Sequence, residues 1–298
     1  MASKLKKTPR DEKIFNVVSV IVLTLLSAFC LFPFLLMISG SFTTQESILL
    51  HGYSLIPKEF STKAYEILFQ SPQSLIDAYG VTIFVTVVGT FFSLFFMSMG
   101  AYVLASKEFR YRNSVSFFFY FTTIFGGGLV PWYIFCIKAL NFRNNLLSMI
   151  LPTVVNVTYM LVLKSYMRSI PEALYESAKL DGAGDWTIYF HIALPLSKAG
   201  MATVALFMAL GYWNDWYNAM LFIDNERMFP LQYFLNNILT KANAMKAAAA
   251  RSGIVVKDLP SEPMKLAMTV VATGPIILLY PFLQKFFVKG VTIGAVKG

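Results

Sequence analysis

Six apolar stretches, at about 15–40, 79–105, 114–137, 145–167, 196–222 and 264–287, leave this chain few folds to choose from. A helix needs roughly 20 consecutive apolar residues to cross the hydrocarbon of a bilayer, and each stretch is long enough. Strands of a membrane barrel would alternate apolar and polar residues. Here Phe91-Phe92-Ser93-Leu94-Phe95-Phe96 and Ser116-Phe117-Phe118-Phe119-Tyr120-Phe121 are apolar nearly all round. The expected fold is an all-α integral membrane protein with six transmembrane helices. A mean hydropathy of +0.60 lies outside the range of a soluble domain.

Charge orients the bundle. A majority of the 25 Lys and Arg residues fall in short segments of one side: Lys4, Lys6, Lys7, Arg10 and Lys13, then Lys107, Arg110 and Arg112, then Lys164, Arg168, Lys179 and Lys198, and finally Lys285, Lys289 and Lys297. Short positive loops stay inside, so both termini are expected in the cytoplasm. The net charge of +9 is thereby a topological signal, and nucleic acid is not an expected partner. The chain divides into a basic tail, 1–13, a membrane domain, 14–288, and a C-terminal tail, 289–298. The first span lacks an A-x-A cleavage signal and is expected to remain as a membrane helix.

One cytoplasmic stretch, 168–195, interrupts the apolar pattern with Glu172, Glu176, Lys179, Asp181 and Asp185. Pro171 suits a first helical position, Glu172 suits the positive end of a helix dipole, and Gly182 suits a left-handed stop. Asp185 is positioned to cap a second short helix through Trp186, Ile188, Tyr189 and Ile192, and Pro195 marks the start of the next span. Two short helices joined by a glycine elbow are the expectation.

Other polar features sit within or between spans. Gly89, Ser93, Ser98, Gly100 and Ala101 let helices approach closely in lipid. Gly126 to Pro131, followed by Trp132 and Tyr133, breaks the third span; this lines a substrate cavity or is a plain kink. Pro152 and Asn156 bound the fourth span, whose polarity suits a face against other helices. Within the fifth, Trp213, Asn214, Asp215, Trp216 and Tyr217 form either an aromatic belt at the outer interface or a carbohydrate site in which rings stack and polar groups bond hydroxyls. The outer segments 41–78 and 223–263 are long, with short helices expected around Thr62–Phe69 and from Lys241 to Arg251 before a stop at Gly253.

Enzymatic chemistry finds no motif. No G-x-x-x-x-G-K-[ST] phosphate loop and no G-x-S-x-G elbow occur. His51 and His191 fall on opposite sides of the expected membrane, and Cys30 and Cys136 are read as small buried residues, so no metal site is expected. No span carries the chain of buried carboxylates, His or Lys of an ion-driven carrier, and the energy source is expected to be another chain.

Glu176-Ser177-Ala178, three residues, Gly182, nine residues, then Ile192-Ala193-Leu194-Pro195 resembles the E-A-A loop of ATP-binding-cassette importer permeases. Ser177 replaces the first Ala of that pattern. The run Ser177 to Ala183 looks like the version in carbohydrate permeases, and Asn214-Asp215-Trp216 is similar to the W-N-[DE]-[WF] segment of the maltose-type family. The resemblance implies a type I importer permease fold, as the second permease subunit, with Glu172, Glu176, Ala178, Asp181, Gly182, Ala183, Ile192 and Pro195 coupling to an ATPase. It further implies that Gly294 and Lys297 in the tail contact that ATPase. Gly126 to Pro131 resembles a subgroup handling complex oligosaccharides, and Trp132, Tyr133, Trp213, Asn214, Asp215 and Trp216 are the substrate-pathway candidates. Implied partners are a different permease subunit, two cytoplasmic ATPase subunits that bind ATP and Mg, an external solute-binding protein, membrane lipid and a carbohydrate, all at a bacterial cytoplasmic membrane. Alternatives are import of a polyol or modified sugar, or a non-translocating ATPase-binding scaffold or sensor.

Overall fold

A computed structural model describes residues 10–70, 72–251 and 261–277, and among these the regular structure is helical apart from one isolated bridge, Thr43 to Phe60. In chain order the helices are α1 (Arg10–Ser41), α2 (Gln45–His51), α3 (Lys63–Leu68), α4 (Pro72–Ala105), α5 (Arg112–Ile124), α6 (Leu129–Lys138), α7 (Leu147–Ile150) and α8 (Val157–Arg168). There follow α9 (Glu172–Leu180), α10 (Asp185–Ile188), a π-helical turn (Tyr189–Ala193), α11 (Leu194–Leu196), α12 (Lys198–Trp213), α13 (Tyr217–Phe222), α14 (Leu231–Arg251) and α15, residues 261–277.

The expected spans are not all straight. Among the described residues α1 and α4 alone are long and apolar enough to cross a membrane as unbroken helices; three further pairs are so only together. α5 and α6 meet at 108°, Leu147–Thr153 and α8 at 53°, and Asp185–Leu196 and α12 at 79°. The break expected in the third span, 114–137, is present, and the stretches 145–167 and 196–222, expected without one, are bent as well. The causes are local: Gly126 to Gly128 stop α5, Pro152 opens a 3₁₀ turn, and Ser197 leaves helical geometry at ψ 11°. Asn156 is exposed and caps α8 by accepting from Tyr159 N at 3.2 Å, which differs from the expected face against other helices. α15 covers the described part of the sixth stretch, and 278–287 lie outside the described residues.

The described residues form two compact units: 10–70 with 239–251 and 261–273, and 72–238 with 274–277. In the first, α1 carries apolar side chains that nothing among the described residues covers, Phe29 and Cys30 among them; Cys30 is exposed, not buried as expected. Below it Phe42 stacks on Phe60 and Tyr65, and Thr44 caps α2 by accepting from Ser47 N. The short helix expected around Thr62–Phe69 is α3.

The second unit is built on α4, about 51 Å long at 1.5 Å per residue. Its buried residues, Thr82, Val85, Gly89, Ser93, Met97, Ala101 and Leu104, recur every three or four positions and form one stripe. Phe84, Val87, Phe91 and Phe96 on the other faces are exposed, so this helix is apolar outward and partly polar inward, as lipid demands. The stripe meets α8 and α12. At Gly89 an added Cβ would lie 2.7 to 2.9 Å from ring atoms of Tyr212, which fills the notch. Tyr212 Oη donates to Ile150 O at 3.2 Å and shares a 2.9 Å hydrogen bond with Ser93 Oγ. Met97, Met149, Met160, Leu163 and Phe222 complete the core.

Gly89→Ala is expected to cost about 1–3 kcal/mol by overpacking against Tyr212. Gly80→Ala, where nothing lies within 4 Å, is expected to gain about 0.5–1 kcal/mol as a relieved helical glycine. Thermal unfolding of the two variants in detergent measures the contrast.

Candidate functional site

The polar interlude folds as two short helices around a glycine turn. Pro171, at ψ 130°, delivers the chain to α9, where Glu172 occupies the first turn and Lys179 the last, both favourable to the helix dipole. No residue of α9 is buried. Its end is a Schellman motif: Gly182 N donates to Lys179 O at 3.0 Å and Ala183 N to Ala178 O at 2.9 Å. That geometry requires the left-handed backbone of Gly182, at φ +81°. Glu176 and Asp181 are exposed, and Ala178 and Ala183 half-buried.

The second half differs in detail from expectation. Gly184, in extended geometry, precedes α10, and Asp185 is its first helical residue without a side-chain capping bond. Asp185 therefore sits one position too far along to cap. The helix then widens into the π turn Tyr189–Ala193, which aims Tyr189 inward; its hydroxyl meets Ser98 Oγ at 2.7 Å and its ring lies 5.4 Å from that of Tyr102. Ile192 is half-buried, Pro195 lies inside α11, and the long helix starts only at Lys198, after Ser197.

Facing α9 is the short connection between α4 and α5. Ser106 Oγ accepts from Glu108 N at 3.3 Å, a turn that presents Lys107 and Glu108 side by side. Lys107 pairs with Glu172, and Glu108 with Lys179, so the two ends of α9 are tied to adjacent residues of one loop. These pairs are largely exposed, and such pairs contribute about 0–1 kcal/mol each. Between the ties lies a cavity of about 500 Å³, lined by Tyr102, Lys107, Arg168, Glu172, Tyr175 and Glu176. Tyr175 Oη donates to Met167 O at 3.4 Å, and burial pushes its phenol pKa above the usual value, which keeps it a neutral donor. Lys107 and Glu108 went unread in the sequence as partners; the signal present there was the seven-residue spacing of Glu172 and Lys179, which puts both on one helix face.

The second candidate cluster is a helix break. α12 ends at Trp213 and α13 starts at Tyr217. Asp215 Oδ1 accepts from the backbone N–H groups of Tyr217 and Asn218, both at 3.1 Å, and its Oδ2 accepts from Asn218 Nδ2 at 2.7 Å. The carboxylate thus caps α13. Asn214 is occupied too: Nδ2 donates to Leu210 O at 2.8 Å, and Oδ1 accepts from Gln232 Nε2 at 3.2 Å. Trp213 is 6% exposed and belongs to the packing, whereas Trp216 is 42% exposed. Trp132 and Tyr133, in α6, converge on Phe222, with centroids at 5.5 and 5.7 Å. Gly294 and Lys297 lie outside the described residues.

Residues 85–293 match the family model described as the binding-protein-dependent transport system inner membrane component. The chain is 37% identical over 288 residues to Protein LplC of Bacillus subtilis (strain 168), with 96% of each chain covered. It is 36% identical over 287 residues to the polygalacturonan/rhamnogalacturonan transport system permease protein YtcP of the same organism, covering 96% of this chain and 99% of the relative. Its structure is similar to a chain in the crystal structure of a bacterial ABC transporter involved in the import of the acidic polysaccharide alginate. The TM-score is 0.75 and the identity 27%, over 94% of this chain and 99% of the other.

The two roles open to Asp215 separate by mutation. If capping dominates, Asp215→Ala lowers stability by about 0.5–2 kcal/mol while Asp215→Asn, which still accepts from the backbone, loses less. Thermal unfolding of both variants in detergent, without any sugar, reads the difference.

Proposed function

The chain belongs to the family of binding-protein-dependent transport system inner membrane components, and from that premise we propose how it works within its importer. It is a permease subunit of an ABC importer for carbohydrate, seated in the inner membrane. Our reading is that it forms half of the pathway beside a different permease subunit and moves oligosaccharides by alternating access. Two cytoplasmic ATPase subunits bind ATP and Mg, and an external solute-binding protein delivers the sugar. Six spans with both termini in the cytoplasm fit the loop charges, α5 with α6 and Leu147–Thr153 with α8 each serving as one span and α12 with α13 as the fifth. In this reading 14–288 is the permease domain, 168–195 the coupling loop, and 289–298 a tail whose Gly294 and Lys297 touch the ATPase.

The observation that carries the coupling assignment is α9 itself. A nine-residue helix with no fully buried residue, ended by a rigid glycine turn, leaves Glu176, Leu180 and Asp181 exposed on its own protein. Such an element suits a socket on another chain. Glu176 and Asp181 project from it, and Ala178, Gly182 and Ala183 keep the turn tight, with Ile192 and Pro195 leading the motion back to α12. The relatives named for polygalacturonan/rhamnogalacturonan and alginate transport favour fragments of a polysaccharide as the cargo. For the pathway, Trp132, Tyr133 and Trp216 retain free ring surface, while Trp213, Asn214 and Asp215 are engaged in structure.

Glu176→Lys and Gly182→Asp are expected to leave the subunit in the membrane but to reduce sugar uptake by at least tenfold and uncouple it from ATP hydrolysis. Uptake and substrate-stimulated ATPase activity in the reconstituted complex measure this. Normal values of both in these variants overturn the coupling role.

A further inference from the structure

From the crossed ion pairs we infer that Lys107 and Glu108 are positioning residues that fasten the coupling helix to α4, making α4 the output element for the ATPase stroke. The inference rests on the coupling role of 168–195 and adds the route by which motion leaves it.

By chain connection alone, movement of α9 would pass to α8 through Ser169–Pro171 and to α12 through α10 and α11. The geometry adds a third route. Lys107 and Glu108 stand just beyond the C-terminal end of α4 and grip Glu172 and Lys179, near opposite ends of α9. One pair alone would allow α9 to swivel about a single point; two pairs at either end fix its direction. Farther along the loop, Tyr189 anchors to Ser98 on the same helix. Close packing duplicates the α9 links little: no residue of α9 is fully buried, a cavity of about 500 Å³ lies beside it, and only the half-buried Tyr175 reaches across, to Met167 O on α8 and to within 6.5 Å of the ring of Tyr102 on α4. Point contacts must then carry the force. Higher on α4, Gly89 and Ser93 hold Tyr212, which lies three residues before Asp215 in the helix break. A displacement of α9 thus reaches the break between α12 and α13 through one continuous helix. The charges on the loop and on α9 are otherwise complementary in order, Lys-Glu facing Glu and Lys, so reversing both sides preserves the links.

The test uses the complete importer in proteoliposomes, with sugar taken up per ATP hydrolysed as the readout. Lys107→Glu with Glu108→Lys places like charges at both ties and is expected to lower this ratio at least threefold. Adding Glu172→Lys and Lys179→Glu restores the pairing and is expected to recover at least half of the loss. Should the reversed loop impair assembly, Lys107→Gln with Glu108→Gln removes the ties without repulsion, and about a twofold drop is expected. An unchanged ratio in either loop variant, or recovery of less than half in the fourfold reversal, overturns the inference. Glu176→Lys runs in parallel: if it uncouples while the loop variants do not, the coupling role stands and the α4 route falls. If Glu176→Lys also leaves the ratio unchanged, the coupling role itself falls.

Discussion

Tyr212 in the notch of Gly89 is the contact on which the larger unit depends. Lipid tails are as apolar as leucine, so burying apolar side chains against one another gives helices in a bilayer little reason to associate. Close approach and satisfied polar groups have to do so. Gly89 removes the atom that would collide with the ring, Ser93 one turn on meets the hydroxyl, and Ile150 O takes its proton. Three segments distant in sequence are joined at one phenol. Gly200 repeats the device on α12, where an added Cβ would lie 2.6 Å from the ring of Tyr166 on α8.

Much of this architecture is legible in the chain because hydropathy and helix length are set by the bilayer. The small residues of α4 read correctly as a packing face, and Gly182 as a left-handed stop, since each answers a local steric demand. Bends were less visible. The triple glycine announced one, but the angle at Ser197 and the break at Asn214 to Trp216 arise from what lies beside them. Asp215 shows the difficulty well: a carboxylate among aromatic rings looks like a sugar site, yet two backbone N–H groups and Asn218 hold it. Helix α14 starts ten residues earlier than its alanine-rich end implied, because Leu231 is buried and its N–H donates to Thr82 Oγ1 at 2.7 Å across 149 residues of sequence. The partners of Lys107 and Glu108 were invisible for the same reason; only the fold brings that loop to α9.

The exposed region around α9 inverts the logic of the core. Inside the bundle, contacts are close-packed and few groups are free to rearrange. Around α9 the links are solvent-exposed ion pairs over a void, individually weak and readily remade. Stiff helices and soft joints thus sit side by side in one chain.

Leu180 gives the glycine turn a consequence for biogenesis. The Schellman motif ends α9 so sharply that this leucine is 89% exposed, with Trp186 beyond the turn at 60%. Outside the membrane, bare apolar side chains of this size favour association with whatever surface covers them, and chaperones and proteases respond to the same signal. A copy of the chain whose glycine turn has no surface against it carries that mark openly.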